Sequence, residues 1–534
     1  MERLQLSGRA ATGTTRPAKV AVIGAGIGGL CAAIRLALAG QSVTLIDTQP
    51  GPGGKMRRVA SPLHAGPIDA GPTVLTLRHV FDDLFAAAGT SLDDHVTLIA
   101  QTTLARHWWP DGSRLDLFAD PQASAAAIAA LCGARAEAEF IRFNRQTAAL
   151  YAAFDGPMMR AARPNLPGIV LNTLRNPAIW PALLPQRSLQ HHLAGCFADP
   201  RLRQLFGRYA TYVGGMPHRS PAVLSLIWQA EAQGVWAVQG GMARLAQALS
   251  DLAGRVGVTL RYGVTVQKIL RQGGRVTGLV LSDTRTLACD AAVFNGDPAA
   301  LVAGLLGPAA QQAIKPVAAH PRSLSAWVWT FAATPGPMPA PCDLIHHNLF
   351  FCADPEAEFA ALAQGRMPDA ATLYVCAQDR ASGAPPAGPE RFQIIMNAPP
   401  KTTLAPDEVA QCRAKTFAPL ARQGLTFDPA PPDTGLTTPQ GFAGLFPGSQ
   451  GAIYGRSPHG TQASFQRPQA RTALTGLYLA GGGAHPGAGV PMAALSGQHA
   501  AEAIMSDLTL ASRFGQTAMR GGMSMVSRLT GRAR

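Results

Sequence analysis

The stretch from Lys19 to Asp47 restricts the fold more than any other part of the chain. A short apolar strand, Val20 to Ile23, is followed at once by glycines with G-x-G-x-x-G spacing, an Ala- and Leu-rich helix, and a second strand that ends at Asp47. This order is typical of a dinucleotide-binding βαβ unit, where the glycines admit a pyrophosphate to a helix N-terminus and the acid binds a ribose. The candidate cofactor residues of this unit are Gly24, Ala25, Gly26, Gly28, Gly29 and Asp47.

Composition narrows the class of protein. The chain has 534 residues, of which 47% are hydrophobic and 15% charged, so it is long enough for more than one domain. No run of 18 or more apolar residues lacks charge, Gly or Pro, so we expect no transmembrane span. The eight cysteines are dispersed without a C-x-x-C pair, which argues against metal and disulfide frameworks and favours a reducing cytoplasm.

The positive charge is distributed in patches. The formal net charge is +14, yet no nucleic-acid-binding motif is present, so an anionic membrane surface is the preferred partner. Residues 155–199 contain no acid between the terminal aspartates and mix arginines with Trp180 and aliphatic residues, which predicts docking at a membrane interface. The basic tail, 509–534, is explained equally well as a second membrane contact or as a solvated surface.

A second pair of glycines follows Asp47 by six residues. Gly53, Gly54 and Lys55 would bring another loop close to the bound cofactor. Many enzymes that hold FAD permanently have such a loop, whereas simple NAD enzymes do not need it, so the pattern favours FAD. The next glycine turn is predicted to line the flavin, and its residues are Gly71, Pro72 and Thr73.

A glycine loop near the C-terminus is predicted to hold the reacting end of the flavin. A short strand ends there in Gly481 and Gly482, and a helix is predicted over 493–505. The partial positive charge at the N-terminus of this helix would stabilise a reduced, anionic flavin. The remaining candidate cofactor residues are Val266, whose backbone would meet the adenine, and Gly489, Val490, Pro491 and Met492.

Aromatic residues alternate in the strand predicted over 323–331. Trp327, Trp329 and Phe331 share one face because side chains repeat with a period of two in a strand. They suit either ordinary core packing or one wall of an elongated apolar tunnel, and the second interpretation makes them candidate substrate residues.

Taken together, these motifs resemble the flavin amine-oxidase and carotenoid-desaturase superfamily. I-D-A-G-P-T at 68–73 and G-G-A-H-P-G-A-G-V-P at 482–491 are similar to bacterial phytoene desaturases. LARHWWPDGSRLDLF at 104–118 and SLSAWVWTF at 323–331 are similar to the 1-hydroxycarotenoid 3,4-desaturase branch of purple phototrophic bacteria. The similarity implies FAD, an acyclic carotenoid substrate, removal of two hydrogens, and peripheral attachment to the cytoplasmic side of the inner or intracytoplasmic membrane.

The resemblance also implies an α/β fold, with a Rossmann-like FAD-binding domain of the glutathione-reductase/amine-oxidase type and a discontinuous substrate domain. Two departures from the family pattern are Lys55, where many relatives have Arg, and Gly482, where many flavoproteins have an acid. We predict a disordered lead-in over 1–18 and a basic tail over 509–534. The FAD-binding parts are 19–118, 236–305 and 466–508, the helical part facing substrate or membrane is 119–235, and the antiparallel-sheet substrate domain is 306–465.

The predicted chemistry is hydride transfer from C3 or C4 of the carotenoid to flavin N5, with loss of a proton from the neighbouring carbon. His485 is the candidate proton acceptor because its loop should adjoin the flavin, although a structural role in that loop is an equal alternative. The electron acceptor would be oxygen or a quinone. Three other functions stay open: a multi-step phytoene desaturase, a flavin amine oxidase, and a non-catalytic lipid carrier like the prenyl-protein escort proteins.

Overall fold

The computed structural model describes residues 16–61, 63, 66–184, 186–314, 321–338, 343–460, 462–463 and 465–526, with side chains as far as residue 510. Most of the predicted lead-in, 1–15, and the end of the basic tail, 527–534, lie outside the described residues.

Strands and helices alternate along the described chain. The strands are β1 Lys19–Ile23, β2 Ser42–Asp47, β3 Arg58–Val59, β4 Ile68–Asp69, β5 Leu98–Ala100, β6 Thr103–Trp108, β7 Arg114–Phe118, β8 Trp236–Val238, β9 Thr259–Tyr262, β10 Val266–Gln272, β11 Arg275–Leu281, β12 Thr286–Ala288, β13 Ala291–Phe294, β14 Ser325–Pro335, β15 His347–Phe350, β16 Leu373–Ala377, β17 Glu390–Ala398, β18 Phe427–Asp428, β19 Leu436–Thr437 and β20 Leu477–Leu479. The α-helices are α1 Ile27–Leu38, α2 His79–Ala87, α3 Pro121–Cys132, α4 Ala134–Phe154, α5 Leu166–Leu174, α6 Trp180–Leu183, α7 Leu189–Cys196, α8 Pro200–Gly207, α9 Trp228–Ala232, α10 Ala243–Arg255, α11 Pro298–Val302, α12 Pro308–Gln311, α13 Pro355–Ala363, α14 Glu408–Arg422, α15 Pro439–Leu445 and α16 Val490–Val526.

The dinucleotide fingerprint folds as a parallel sheet of five strands in the order β20, β13, β1, β2, β9. Its central strands β1 and β13 are almost entirely apolar because helices or loops cover both faces of a parallel sheet, and Val20, Val22 and Leu45 are almost completely buried. The strands come from three distant parts of the chain. The predicted α/β fold class is confirmed.

Helices α1 and α16 cross closely on one side of this sheet. A Cβ atom at Gly497 in α16 would lie 2.2 Å from the Gly28 carbonyl oxygen, so the two helix backbones touch at this point. Helix α16 begins three residues before the predicted start and runs well past the predicted end at 505.

The second large sheet has eight strands and mixed topology. Its order is β18, β14, β17, β16, β15, β6, β7, and β19 also pairs with β14. Pairing is antiparallel except between β15 and β6. Strands β6 and β7 form a hairpin that turns around Gly112, and they extend this sheet rather than the FAD-binding domain. The predicted boundary at 118 is therefore wrong, because the hydrogen bonds that place the hairpin come from β15, more than 200 residues later.

The chain between 121 and 234 is mainly helical, as the pattern indicates. Within it, Gly133 separates α3 from α4, because its φ of +86° does not fit a continuous helix. Residues 155–199 form one π-helical turn at Asp155–Arg160 and then the short helices α5, α6 and α7. This segment packs against α4.

Candidate active site

A cavity of about 1030 Å³ connects the parallel sheet with the eight-stranded sheet. Its lining includes residues at the carboxyl ends of β1, β2, β13 and β20, the edge at which open α/β sheets bind ligands. All of the predicted cofactor residues line it except Ala25 and Gly29. Gly29 acts by packing instead, since a Cβ there would lie 2.0 Å from the Gly24 carbonyl oxygen.

The two N-terminal glycine loops contact each other directly. The Gly53 N–H donates to the Ala25 carbonyl at 2.9 Å, and Gly26 and Gly53 form a parallel bridge. Gly53 has a φ of +124°, a conformation that side-chain-bearing residues rarely adopt. The second loop is therefore held against the first at the start of α1, where the cavity is lined by backbone.

Asp47 is fixed at the end of β2. Its carboxylate accepts hydrogen bonds from the backbone N–H groups of Ala25 at 2.6 Å and Gln49 at 2.7 Å. Burial raises the pKa of Asp47 above its usual range, and these two hydrogen bonds oppose the rise. Each oxygen keeps a lone pair that can accept a ribose hydroxyl, and Val266 lines the same end of the cavity.

The cationic side of the cavity contains Lys55 and Arg467. The Lys55 ammonium donates to the Ile453 carbonyl at 2.6 Å, and its accessible surface faces the cavity rather than bulk water. Burial, with repulsion from Arg322 and Arg467, lowers the pKa of Lys55. Arg467 is almost completely buried and donates to the Gly482 carbonyl at 3.0 Å. Burial lowers its pKa to about 10, which still leaves it charged at neutral pH.

Asn295 connects the N-terminal and C-terminal glycine loops. Its Nδ2 donates to the Gly24 carbonyl at 3.2 Å, and a Cβ added at Gly481 would lie 2.8 Å from its Oδ1. The buried Oδ1 atom has no hydrogen-bonding partner among the described residues. We assigned no role to Asn295 from the sequence, although the FNGDP stretch that contains it also resembles the 1-hydroxycarotenoid 3,4-desaturase branch.

These features fit FAD. The crowded glycine loops line the cavity with backbone atoms. The cations and a helix N-terminus suit a pyrophosphate, and Asp47 suits a ribose. The buried, unpartnered Oδ1 of Asn295 lies where a donor on the cofactor could satisfy it. The part of the cavity beyond these loops is mostly apolar, with lining from Phe154, Met158, Leu224, Ala326, Val328 and Ile395.

Comparison with known proteins agrees with this site. A sequence model described as flavin containing amine oxidoreductase matches residues 27–327. A hydroxyneurosporene desaturase of Cereibacter sphaeroides is 61% identical over 93% of this chain and 99% of its own length, and one of Rubrivivax gelatinosus is 44% identical over 97% and 98%. The chain belongs to the carotenoid desaturase branch of the flavin-containing amine oxidoreductases. It is an FAD-dependent oxidoreductase that acts on CH–CH groups.

Solved structures match the fold of this desaturase. A triple mutant of putrescine oxidase aligns over 92% of this chain and 99% of its own, with a TM-score of 0.56 at 13% identity. At this identity the similarity concerns architecture only, and it agrees with the α/β fold described above.

His485 does not contact the cavity of the desaturase. Its side chain is buried, and its Nε2 lies 2.9 Å from the Ala161 carbonyl. A carbonyl only accepts, so Nε2 carries a proton and donates it to this bond. Burial also lowers the pKa of His485. Because His485 does not line the cavity, the structure does not place it where it could take a proton from a bound substrate, and the residue instead joins the C-terminal glycine loop to the segment that follows α4.

Trp327, Trp329 and Phe331 also lie away from the cavity. They belong to a core cluster with Phe350 and Phe392, and Trp329 and Phe331 make edge contacts with Phe417 of α14. The opposite face of β14 supplies Ala326 and Val328 to the cavity. The tunnel-wall prediction is wrong, because the aromatic face of β14 packs in the core and the other face lines the cavity. Both faces of β14 are buried, so a period of two shows which side chains share a face but not which face meets the substrate.

One pair of adjacent histidines lies close to a cysteine in the core of the eight-stranded sheet. His346, His347 and Cys376 are buried, and their potential ligand atoms lie within 4.8 Å of one another. His346 Nδ1 contacts the Ala377 carbonyl at 3.0 Å, and His347 Nδ1 contacts the Tyr374 hydroxyl at 2.6 Å. These hydrogen bonds explain the orientation of both rings within the core of the sheet.

Proposed function

We propose that this desaturase introduces a C3–C4 double bond into 1-hydroxylated or 1-methoxylated acyclic carotenoids such as hydroxyneurosporene. The observation that carries the proposal is the continuity of one cavity from the FAD-binding glycine loops into a mostly apolar chamber. The names of the relatives that are 44% to 61% identical over nearly the whole chain support the same substrate class.

The protein residues position the substrate and keep water away. When bound, FAD supplies a two-electron acceptor, which a C–H bond beside a polyene needs because it has no acidic proton. Met158, Leu224, Val328 and Ile395 line the chamber and bind the hydrocarbon along its length. This extended contact would hold the reacting end of the carotenoid in one position and orientation, which lowers the entropic cost of the reaction.

Product analysis tests the proposal. The FAD-loaded enzyme receives phytoene, neurosporene or 1-hydroxyneurosporene in separate liposome preparations, and the products are separated by chromatography. We expect a new C3–C4 double bond with the hydroxylated substrate and no conversion of phytoene. Multi-step conversion of phytoene would contradict the proposal in favour of a phytoene desaturase, whereas oxidation of small amines would indicate an amine oxidase.

The non-catalytic lipid carrier differs in what its site requires. A carrier needs no crowded glycine cradle, yet Gly28, Gly53 and Asn295 form one here. Flavin absorbance of the purified protein distinguishes the two functions.

We also propose that α5 and α6 dock on an anionic membrane surface. Six large apolar side chains, which we call the α5 patch, are 47% to 63% exposed: Leu166, Val170, Leu171, Leu174, Trp180 and Leu184. Arg163 and Arg175 are exposed beside them. Such a mixture suits the headgroup boundary. None of the helices in the described residues has the length and apolar character needed to cross a bilayer.

The α5 patch borders the substrate chamber. Phe154, Met158 and Met159 line the cavity directly before α5 in the chain, and Ile169 of α5 packs in the same cluster as Met158. A carotenoid would therefore enter from the bilayer without crossing water. We place the enzyme at the cytoplasmic side of the inner or intracytoplasmic membrane, where oxygen or a quinone would accept its electrons.

Flotation with liposomes tests the docking. Replacing Leu171 and Leu174 together by glutamate is expected to abolish flotation with anionic vesicles at low salt, because two charges enter the apolar face. Leu38→Glu is the matched control, since Leu38 is also exposed but lies on α1. Equal flotation of the double variant and the control would refute the proposed surface.

A further inference from the structure

A buried charged cluster interrupts the apolar chamber. Arg208 and Glu231 are 8% and 4% exposed, and Arg208 Nη2 lies 3.9 Å from Glu231 Oε2. Tyr209 donates to Glu231 at 2.5 Å, and the Tyr212 hydroxyl donates a short hydrogen bond to the other carboxylate oxygen. Arg208, Tyr212 and Glu231 line the cavity, whereas Tyr209 lies behind them.

The cluster retains unused hydrogen-bonding capacity. Glu231 accepts two hydrogen bonds from tyrosines, while a carboxylate has about four lone-pair sites. Arg208 donates from Nη1 to Tyr212 at 3.2 Å, but its buried Nε has no partner among the described residues. Burial opposes the charge of Arg208, yet Tyr212, Tyr209 and Glu231 outweigh it and raise its pKa. Buried charged and polar groups with free hydrogen-bonding sites in an apolar chamber are costly unless a ligand uses those sites.

The cluster lies towards the part of the cavity that is predicted to hold the flavin. Tyr374 lines the cavity and lies near Tyr212. Burial is the largest cause of the raised pKa of Tyr374, Cys376 is the next, and Tyr212 makes a smaller contribution. The Tyr374 hydroxyl also contacts Thr73 Oγ1 at 2.7 Å. Thr73 belongs to the turn predicted to line the flavin, so the cluster lies near the reacting end of the chamber rather than at its far end.

We propose that Arg208, Tyr212 and Glu231 bind the hydroxyl group on C1 of the carotenoid and thereby select hydroxylated substrates. A hydroxyl both donates and accepts, so it can donate to Glu231 and accept from Arg208 or Tyr212. Three C–C bonds of about 1.5 Å each join C1 to C4, so a hydroxyl held here keeps C3 and C4 within a few ångströms of the cluster. The proposal rests on the substrate class proposed above.

The same geometry explains discrimination against substrates without the hydroxyl. A carotenoid without a hydroxyl on C1 would exclude water from the cluster and offer its charged and polar groups no hydrogen bond in return. Sites built to hydrogen-bond a substrate hydroxyl reject the analogue that lacks it for this reason. The three side chains are therefore specificity-determining residues, and no step of the redox chemistry is assigned to them.

The test compares two substrates and two variants. Kinetic parameters of the holoenzyme are measured with 1-hydroxyneurosporene and with neurosporene. Tyr212→Phe removes the hydroxyl, and Glu231→Gln removes the negative charge and replaces one acceptor oxygen by an NH2 donor, each with little change in volume. We expect kcat/KM for the hydroxylated substrate to fall about 10- to 100-fold, with at most a small change for neurosporene.

Binding without turnover supplies an independent measurement. With the flavin chemically reduced, quenching of tryptophan fluorescence by each carotenoid reports affinity alone, and the variants should lose the preference for the hydroxylated substrate. Tyr209→Phe is the matched control, because it removes a hydrogen bond to the same carboxylate from outside the cavity and should affect both substrates alike.

Two outcomes separate this proposal from the proposed function. An equal loss of kcat/KM for both substrates, or an unchanged binding preference, would overturn hydroxyl recognition by the cluster while leaving the reaction intact. Absence of any conversion of 1-hydroxyneurosporene by the unaltered holoenzyme would instead overturn the proposed substrate class.

Discussion

Alanine in place of Gly28 is expected to weaken FAD binding by about 5- to 150-fold, the range that 1–3 kcal/mol of overpacking produces. The added Cβ would lie 2.6 Å from the Gly481 nitrogen, 2.7 Å from Asn295 Oδ1 and 2.9 Å from the Ala493 carbonyl oxygen. Two of these neighbours are backbone atoms, which cannot rotate away as the end of a flexible side chain can. The start of α1 must therefore separate from the C-terminal glycine loop, and both line the cofactor cavity.

The measurement is flavin absorbance per protein, followed by titration of FAD into the apoprotein. Gly254→Ala is the matched control, because Gly254 lies in the exposed side of α10 with nothing within 4 Å of the added atom. Alanine there should leave FAD content unchanged and add about 0.5–1 kcal/mol of stability. FAD affinity of Gly28→Ala equal to that of the unaltered protein would show that the two glycine loops do not jointly form the cradle.

Replacing Glu390 with alanine is expected to lower the free energy of unfolding by about 3–5 kcal/mol, because it leaves the buried charge of Arg380 without its main partner. Arg380 donates to Glu390 through Nε at 2.7 Å and Nη2 at 2.6 Å. The two side chains are only 5% and 2% exposed. Glu390 begins β17, the strand that supplies Gln393, Ile395 and Asn397 to the cavity.

The urea midpoint of unfolding measures this change, and the pair Asp283 and Arg285 provides the control. That pair has a similar geometry, but its side chains are 31% and 67% exposed. Asp283→Asn should leave the urea midpoint almost unchanged, since water solvates both groups after the bond is lost. Replacing Arg380 and Glu390 together by methionine should recover most of the stability lost in Glu390→Ala. A double variant as unstable as the single one would contradict this explanation.

The sequence predicts the FAD-binding half of the site well because its requirements are local. Gly24, Gly53 and Gly481 all adopt positive φ values, and steric demands of this kind appear directly as glycines in the chain. Asp47 and the glycine loop before α1 lie within one βαβ unit, so spacing alone relates them. The fold class follows from the same pattern.

The substrate half depends on contacts between distant segments, and these are not visible in spacing. Arg208 and Glu231 become a pair only when the turns after α8 and the helix α9 pack together. His485 turns towards Ala161, which is 324 residues away in the chain. The direction of each side chain is set by these remote partners, which is why the predicted proton acceptor and tunnel wall lie away from the cavity although their strand and loop were placed correctly.

The parallel sheet has a consequence for the order in which the protein forms. β1 is made first, but its neighbour β13 appears some 270 residues later and the edge strand β20 only near residue 477. Such distant pairings are slow to form, since closing a long loop costs chain entropy before any stabilising contact is made. During translation the first glycine loop therefore emerges long before Gly481 and α16 can cover it. We therefore expect FAD to bind only after β20 and α16 have formed, because Gly481 and Val490 complete the lining of its cavity.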